Sequence, residues 1–144
     1  MREYCKEADI KKDIEIFTNE YFKSECIRKL PKHYKYVMGE QVRNAILEMD
    51  KSFCKAWKSS IPVRKLIYFE DANGLVMFVQ NKLNCMNDIG ILDNKTKAKF
   101  DILTERIDKQ LLNMTNSLRR KHKLAESRSI VDGLIESDDR ELKN

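Results

Sequence analysis

Glycine and proline are scarce, with 4 Gly and 2 Pro in 144 residues. A turn-rich sandwich or barrel uses far more of both, so the chain reads as all-helical. No apolar run reaches the length of a membrane span, and the opening MREYCKEAD has no apolar signal region. Those two absences predict a cytoplasmic protein with no membrane partner. Cys5, Cys26, Cys54 and Cys85 lie on separate segments without a CxxC pair. That spacing argues against zinc or a disulfide framework and predicts buried or indifferent thiols and no metal site. His33 and His122 stand alone near predicted helix ends.

Catalytic signatures are missing as well. There is no HExxH, no GxSxG and no phosphate-cradling glycine loop. Asp13/Glu15 and Glu70/Asp71 are acidic neighbours, but residues so close in a helix do not converge on one point. The chain is therefore expected to be no enzyme and to hold no cofactor. A small helical enzyme or toxin-type effector remains a third reading, though the periodicity puts no converging polar pair inside.

What is present suits one helical domain: 42% of residues are hydrophobic and 35% charged. Residues 1–8 read as a frayed lead-in. Four helices follow, at about 9–30, 32–58, 62–89 and 94–122. The first carries Ile10, Ile14, Phe17 and Tyr21 on one stripe. Pro31 and Pro62 fall in first turns, with Ser60 a candidate N-cap before the third helix. The third is apolar over much of its circumference, from Leu66 through Met86, with Leu75 and Phe78 widening the face. Its Ala72-Asn73-Gly74 is a turn signal, and residues 75–79 also fit a strand, but unbroken spacing through Leu83 and Met86 favours helix. Gly90 ends it, and Asp93 or Asn94 caps the fourth helix. There Phe100, Leu103, Ile107, Leu111, Met114 and Leu118 keep a three/four alternation without error. Residues 124–144 are polar and acidic and are expected to be a mobile tail or a partner-dependent helix. Short links between four helices favour an antiparallel up-and-down four-helix bundle.

The second helix has more apolar surface than one core needs. Met38, Val42, Ala45, Ile46, Met49, Phe53 and Trp57 make its inner face. Tyr36, Leu47 and Cys54 fall nearly opposite, with Gly39 and Arg43 beside them. Either this second stripe is a subunit or partner contact, or it is scattered surface apolar residues.

Charge is sorted too, on a net of +5. On the fourth helix Lys95, Lys99, Arg106, Lys109 and Arg120 share a sector opposite the core stripe, with Arg119 in the basic run at its end. On the second helix Lys51, Lys55 and Lys58 share an outward face. Such faces suit a phosphate backbone, in RNA or DNA, without reading its sequence. The plain alternative is an ordinary solvated helix face.

These residues carry a resemblance. LPKHYKYVMGEQVRNAIL and the later LVMFVQNKLNCMNDIGILDNKTKAKFDILTERIDKQLLNM resemble the accessory variability proteins of diversity-generating retroelements. Those belong with the four-helix-bundle proteins encoded in intervening sequences of bacterial 23S ribosomal RNA genes. The likeness spans residues 14–118. Its most telling parts are Pro31 followed by aromatic Tyr34, the Gly39 to Arg43 step, and Ile91-Leu92 ahead of Phe100. The resemblance implies a basic homopentameric barrel of four-helix protomers. It further implies a non-enzymatic role, binding the element's reverse transcriptase and its template RNA or cDNA during mutagenic copying. In that setting Tyr36, Gly39, Arg43, Leu47, Cys54, Leu75 and Phe78 would meet neighbouring subunits. Ala45 to Asp50 lacks the Ser/Asn/Ala/Glu-rich continuation of the intervening-sequence branch, which leans toward the retroelement branch. Two features depart from the pattern: an acidic segment after Lys123, and lysine where arginine-rich surfaces are typical. The competing reading is an oligomeric helical scaffold that touches no nucleic acid.

Overall fold

The computed structural model describes residues 2–123, with side chains from Glu7 onward. The acidic segment 124–144 lies outside the described residues. All described secondary structure is helical, with no strand. The elements are α1 (Arg2–Lys23), the short α2 (Glu25–Arg28) and α3 (Lys32–Tyr34), a π-helical turn (Lys35–Gly39), α4 (Glu40–Lys58), α5 (Pro62–Asp88) and α6 (Asn94–His122).

Three boundaries correct the sequence expectation. α1 starts at Arg2, ahead of the expected Asp9, so residues 2–8 are helical. It stops at Lys23, because Ser24 turns extended and its hydroxyl accepts from the Ile27 amide at 3.4 Å. A serine so placed satisfies an orphan donor of a new helix. The expected second helix is also not one uniform α-helix. Its entry from Pro31 passes through α3 and a π-helical turn before α4 begins. At the α4–α5 link Ser60 does not cap α5: the N-cap position is Ile61, with no side-chain cap, and the Ser59 hydroxyl accepts from the Ile61 amide at 3.3 Å. The helix at α5 does run through Ala72-Asn73-Gly74 without a break. Gly90 takes φ +82, the left-handed conformation that ends α5. Asp93 caps α6, accepting from the Thr96 amide at 2.6 Å.

One apolar cluster joins the long helices. The stripes expected on α1, α4, α5 and α6 all enter it, with Met38 and Trp57 packed at its margin. Phe53 sits against Trp57 and Phe69, ring centroids 5.5 and 5.9 Å apart. Phe100 meets Phe17 edge-on at 5.7 Å. Each buried aromatic of this kind contributes a few kcal/mol by leaving water.

Neighbour relations follow a closed order: α1 packs on α4, α4 on α5, α5 on α6, and α6 on α1. Between α5 and α6, Glu70 pairs with Arg119, Asn73 with Asp108, and Gln80 with Thr104. Between α1 and α6, Asp13 pairs with Arg106 and Glu20 with Lys99. In each set the partner numbers fall as the first numbers rise. α4 and α6 therefore stand on opposite sides of the core.

Candidate nucleic-acid interface

The cations singled out on α4 and α6 do not form one continuous face, because these helices are diagonal neighbours. They divide by position along the molecule. Lys55 Nζ lies 5.8 Å from the Tyr68 ring, and Arg119 meets Glu70 two residues further along α5. That brings Lys51, Lys55 and Lys58 level with Arg119 and Arg120, on either side of α5. Lys99 and Arg106 lie instead along α1, against Glu20 and Asp13. Lys95, in the first turn of α6, and Lys109 are exposed.

Several of these cations are engaged by carboxylates from a neighbouring helix. Lys99 Nζ is 2.5 Å from Glu20 Oε2, and Arg106 is 3.7 Å from Asp13. Arg119 donates to Glu70 and, at 3.2 Å, to Asn116, and it is half-buried. A guanidinium so occupied is a structural brace between α5 and α6, not a free phosphate contact. The sorted face expected from α6 alone is thus partly neutralised. Helical spacing sees only acids on the same helix; the neutralising ones are on α1 and α5.

Other positions keep their charge exposed. Lys51, Lys58, Lys109 and Arg120 are exposed and form no ion pair among the described residues. Lys95 is exposed beside Asp93, whose carboxyl is held below its ordinary value mainly by the hydrogen bond from the Thr96 amide. Lys55 is exposed over Tyr68 and near Asp71. The Asp71 carboxyl is pushed up by burial, against the pull of Lys55.

The second stripe is also divided. Tyr36 is 63% exposed and Leu47 48% exposed, and Phe78 on α5 is 40% exposed. Arg43 is exposed and pairs with Glu40 at 3.5 Å. Gly39 is not on this surface: it is buried, and its carbonyl accepts from the Tyr21 hydroxyl at 3.1 Å. Burial, with Glu40 nearby, pushes that phenol well above its ordinary value, so it stays a donor. Leu75 packs on the core within the same chain. Cys54 is half-buried beside Lys11, whose Nζ lies 3.8 Å from its sulfur.

A surface missed by helical spacing lies where α1 breaks. A cavity of about 280 Å³ opens there between the end of α1, α2 and the π-helical turn. Tyr21, Phe22, Ile27 and Leu30 wall it, with Arg28, Lys35 and Arg43 at its margin. Its signal in the sequence is the interleaving of cations and rings in Lys32-His33-Tyr34-Lys35-Tyr36.

Among the described residues, no group of His, Cys, Asp and Glu is placed to hold a metal. Cys26 and Cys85 are free, like Cys54. No helix among the described residues is long and apolar enough to cross a membrane. No protein-family profile matches the chain, and no curated protein matches it.

Proposed function

We propose that the chain is a non-catalytic accessory subunit that binds nucleic acid through the phosphate backbone. Its protomer is an antiparallel up-and-down four-helix bundle. The descending order of the cross-helix pairs supports that arrangement. One observation carries the binding reading: Lys51, Lys58 and Arg120 are exposed and without ion pairs among the described residues. Exposed cations left unpaired raise the local field and exchange counterions for phosphates.

The sequence resemblance extends this reading. It supports a cytoplasmic accessory variability subunit of a diversity-generating retroelement, assembled as a ring of five copies, with the element's reverse transcriptase and template RNA or cDNA as partners. A reverse transcriptase gene beside this one, with paired template and variable repeats, is the expected genomic context.

Binding is tested with a fluorescein-labelled RNA hairpin across a salt series. The triple variant Lys51→Gln, Lys58→Gln, Arg120→Gln is expected to flatten the slope of log K against log salt by roughly 2–3, at about 0.9 per phosphate contact. An unchanged slope rejects this surface.

A specific observation also favours self-association: Leu47 and Phe78 are large apolar groups left half in water. The second reading is an assembly scaffold without nucleic acid. Light scattering at micromolar concentration separates the cases. A monomer removes the ring, and an oligomer that ignores RNA at low salt leaves only the scaffold.

A further inference from the structure

We propose that the surface where α1 breaks and α4 is entered is a platform for single-stranded nucleic acid. Phe22 and Tyr36 supply the stacking faces, and Arg28 and Lys35 the phosphate contacts. The proposal rests on the nucleic-acid reading above, but uses residues at a different place from Lys51, Lys58 and Arg120.

Two rings are held out to solvent: Phe22, which lines the cavity, and Tyr36, next in the chain to the cavity-lining Lys35. Phe22 is 40% exposed and Tyr36 63% exposed. Phe22 is not loose: Tyr21 stands edge-on to it at 5.7 Å, and Tyr21 is tied through its hydroxyl to the Gly39 carbonyl. The ring is therefore set in place before any ligand arrives, which lowers the entropic cost of stacking. Tyr36 follows Lys35 directly, on the π-helical turn. Such turns are uncommon and concentrate at functional sites.

Charge surrounds the rings. Arg28 and Lys35 are neighbours, because Lys35 Nζ donates to the Arg28 carbonyl at 3.4 Å. Arg43 lines the same cavity, and the acid that lines it, Glu40, is already covered by Arg43 at 3.5 Å. Lys32 and His33 stand exposed just before this group. Aromatic faces beside a track of cations are what unpaired bases and their phosphates require. A duplex keeps its base faces stacked and cannot use the rings. The cavity of about 280 Å³ is below the size of a drug-sized pocket and suits one planar group such as a single base.

The test compares probes on the full-length protein by fluorescence anisotropy at low salt. The probes are labelled oligo(dT), oligo(U) of the same length, and a duplex of matched length. The double variant Phe22→Leu, Tyr36→Leu keeps apolar bulk and removes both ring faces. It is expected to weaken the single strands by about tenfold or more, since stacking is worth roughly 1–3 kcal/mol per base. Duplex binding is expected to change by less than about twofold, because it depends on phosphate contacts. Equal loss on single strand and duplex overturns the platform, as does no loss on either while the wild type binds. Light scattering on the same variant is a second check: a changed oligomeric state assigns Tyr36 to a subunit contact and overturns the platform. If the wild type binds no probe, the nucleic-acid reading fails and the platform with it. If the variant spares the single strands but Lys51→Gln, Lys58→Gln, Arg120→Gln weakens them, only the platform fails.

Discussion

Lys99 on α6 reaches Glu20 on α1, Nζ to Oε2 at 2.5 Å. A lysine that α6 alone presents as free is bound to a carboxylate from another helix. Glu20→Gln is expected to release it and steepen the salt dependence of RNA binding by about one unit of slope. Lys99→Gln is expected to change that slope little, whereas Lys109→Gln reduces it by about one. Anisotropy titrations across a salt series check all three. The pH dependence has a defined sign. The hydrogen bond and charge of Lys99 hold the Glu20 carboxyl below its ordinary 4.5. The pair therefore adds stability above that value and loses it as pH falls through the lowered folded value.

Arg119 tests the difference between a brace and a binding contact. Its guanidinium joins Glu70 and Asn116, with both members of the ion pair three-quarters buried. Arg119→Met is expected to cost about 1–3 kcal/mol, the range for losing a charged hydrogen bond and stranding its partner. Urea unfolding measures this. The salt slope of RNA binding is expected to stay unchanged, and a flattened slope would restore Arg119 to the interface.

Gly74 and Gly90 are expected to respond in opposite directions to the same substitution. Gly74 lies inside α5, and a Cβ there meets nothing within 4 Å. Gly74→Ala is expected to stabilise by about 0.5–1 kcal/mol. Gly90 has φ +82, so Gly90→Ala is expected to destabilise by roughly 1–2 kcal/mol although the space is open. Thermal unfolding of the two variants decides the point.

Asp93 ties the start of α6 to acidity. The Thr96 amide holds its carboxyl below the ordinary 3.8, so the cap is strongest when ionised. Its contribution is present above that value and is lost as pH falls through the lowered folded value. Asp93→Ala is expected to lower the melting temperature at pH 7 and to make the acid limb of stability shallower, followed by circular dichroism.

Leu47→Asp tests the exposed side of α4. Leu47 is 48% exposed, so the change is expected to cost the protomer about 0.5 kcal/mol or less. If this surface joins subunits, light scattering gives a smaller mass with helicity retained. An unchanged oligomer clears Leu47 of that role.

The helices themselves were legible because their signal is local. A three/four spacing of apolar residues fixes which side of a rod leaves water, whatever it later packs against. The stripes from Leu66 to Met86 and from Phe100 to Leu118 are buried as that spacing requires. Ser24 as a cap was available in the sequence, since a serine followed by an acid is a helix-start signal. The π-helical turn at Lys35–Gly39 had no such signal, since no side-chain cap marks its start.

The candidate site depended on distance in space, which no single helix specifies. Lys99, Arg106 and Arg119 look alike in sequence to Lys109 and Arg120. Only the packing of α6 on α1 and α5 brings Glu20, Asp13 and Glu70 against the first three. Packing of α1 and α2 against the entry to α4 buried Gly39 under Tyr21 and gathered Phe22, Arg28, Lys35 and Arg43 around one cavity. Sequence determined the rods and their greasy sides, since burial follows the period of the chain. The fold decided which charges remain free, since a Coulomb partner is set by ångströms and not by residue number.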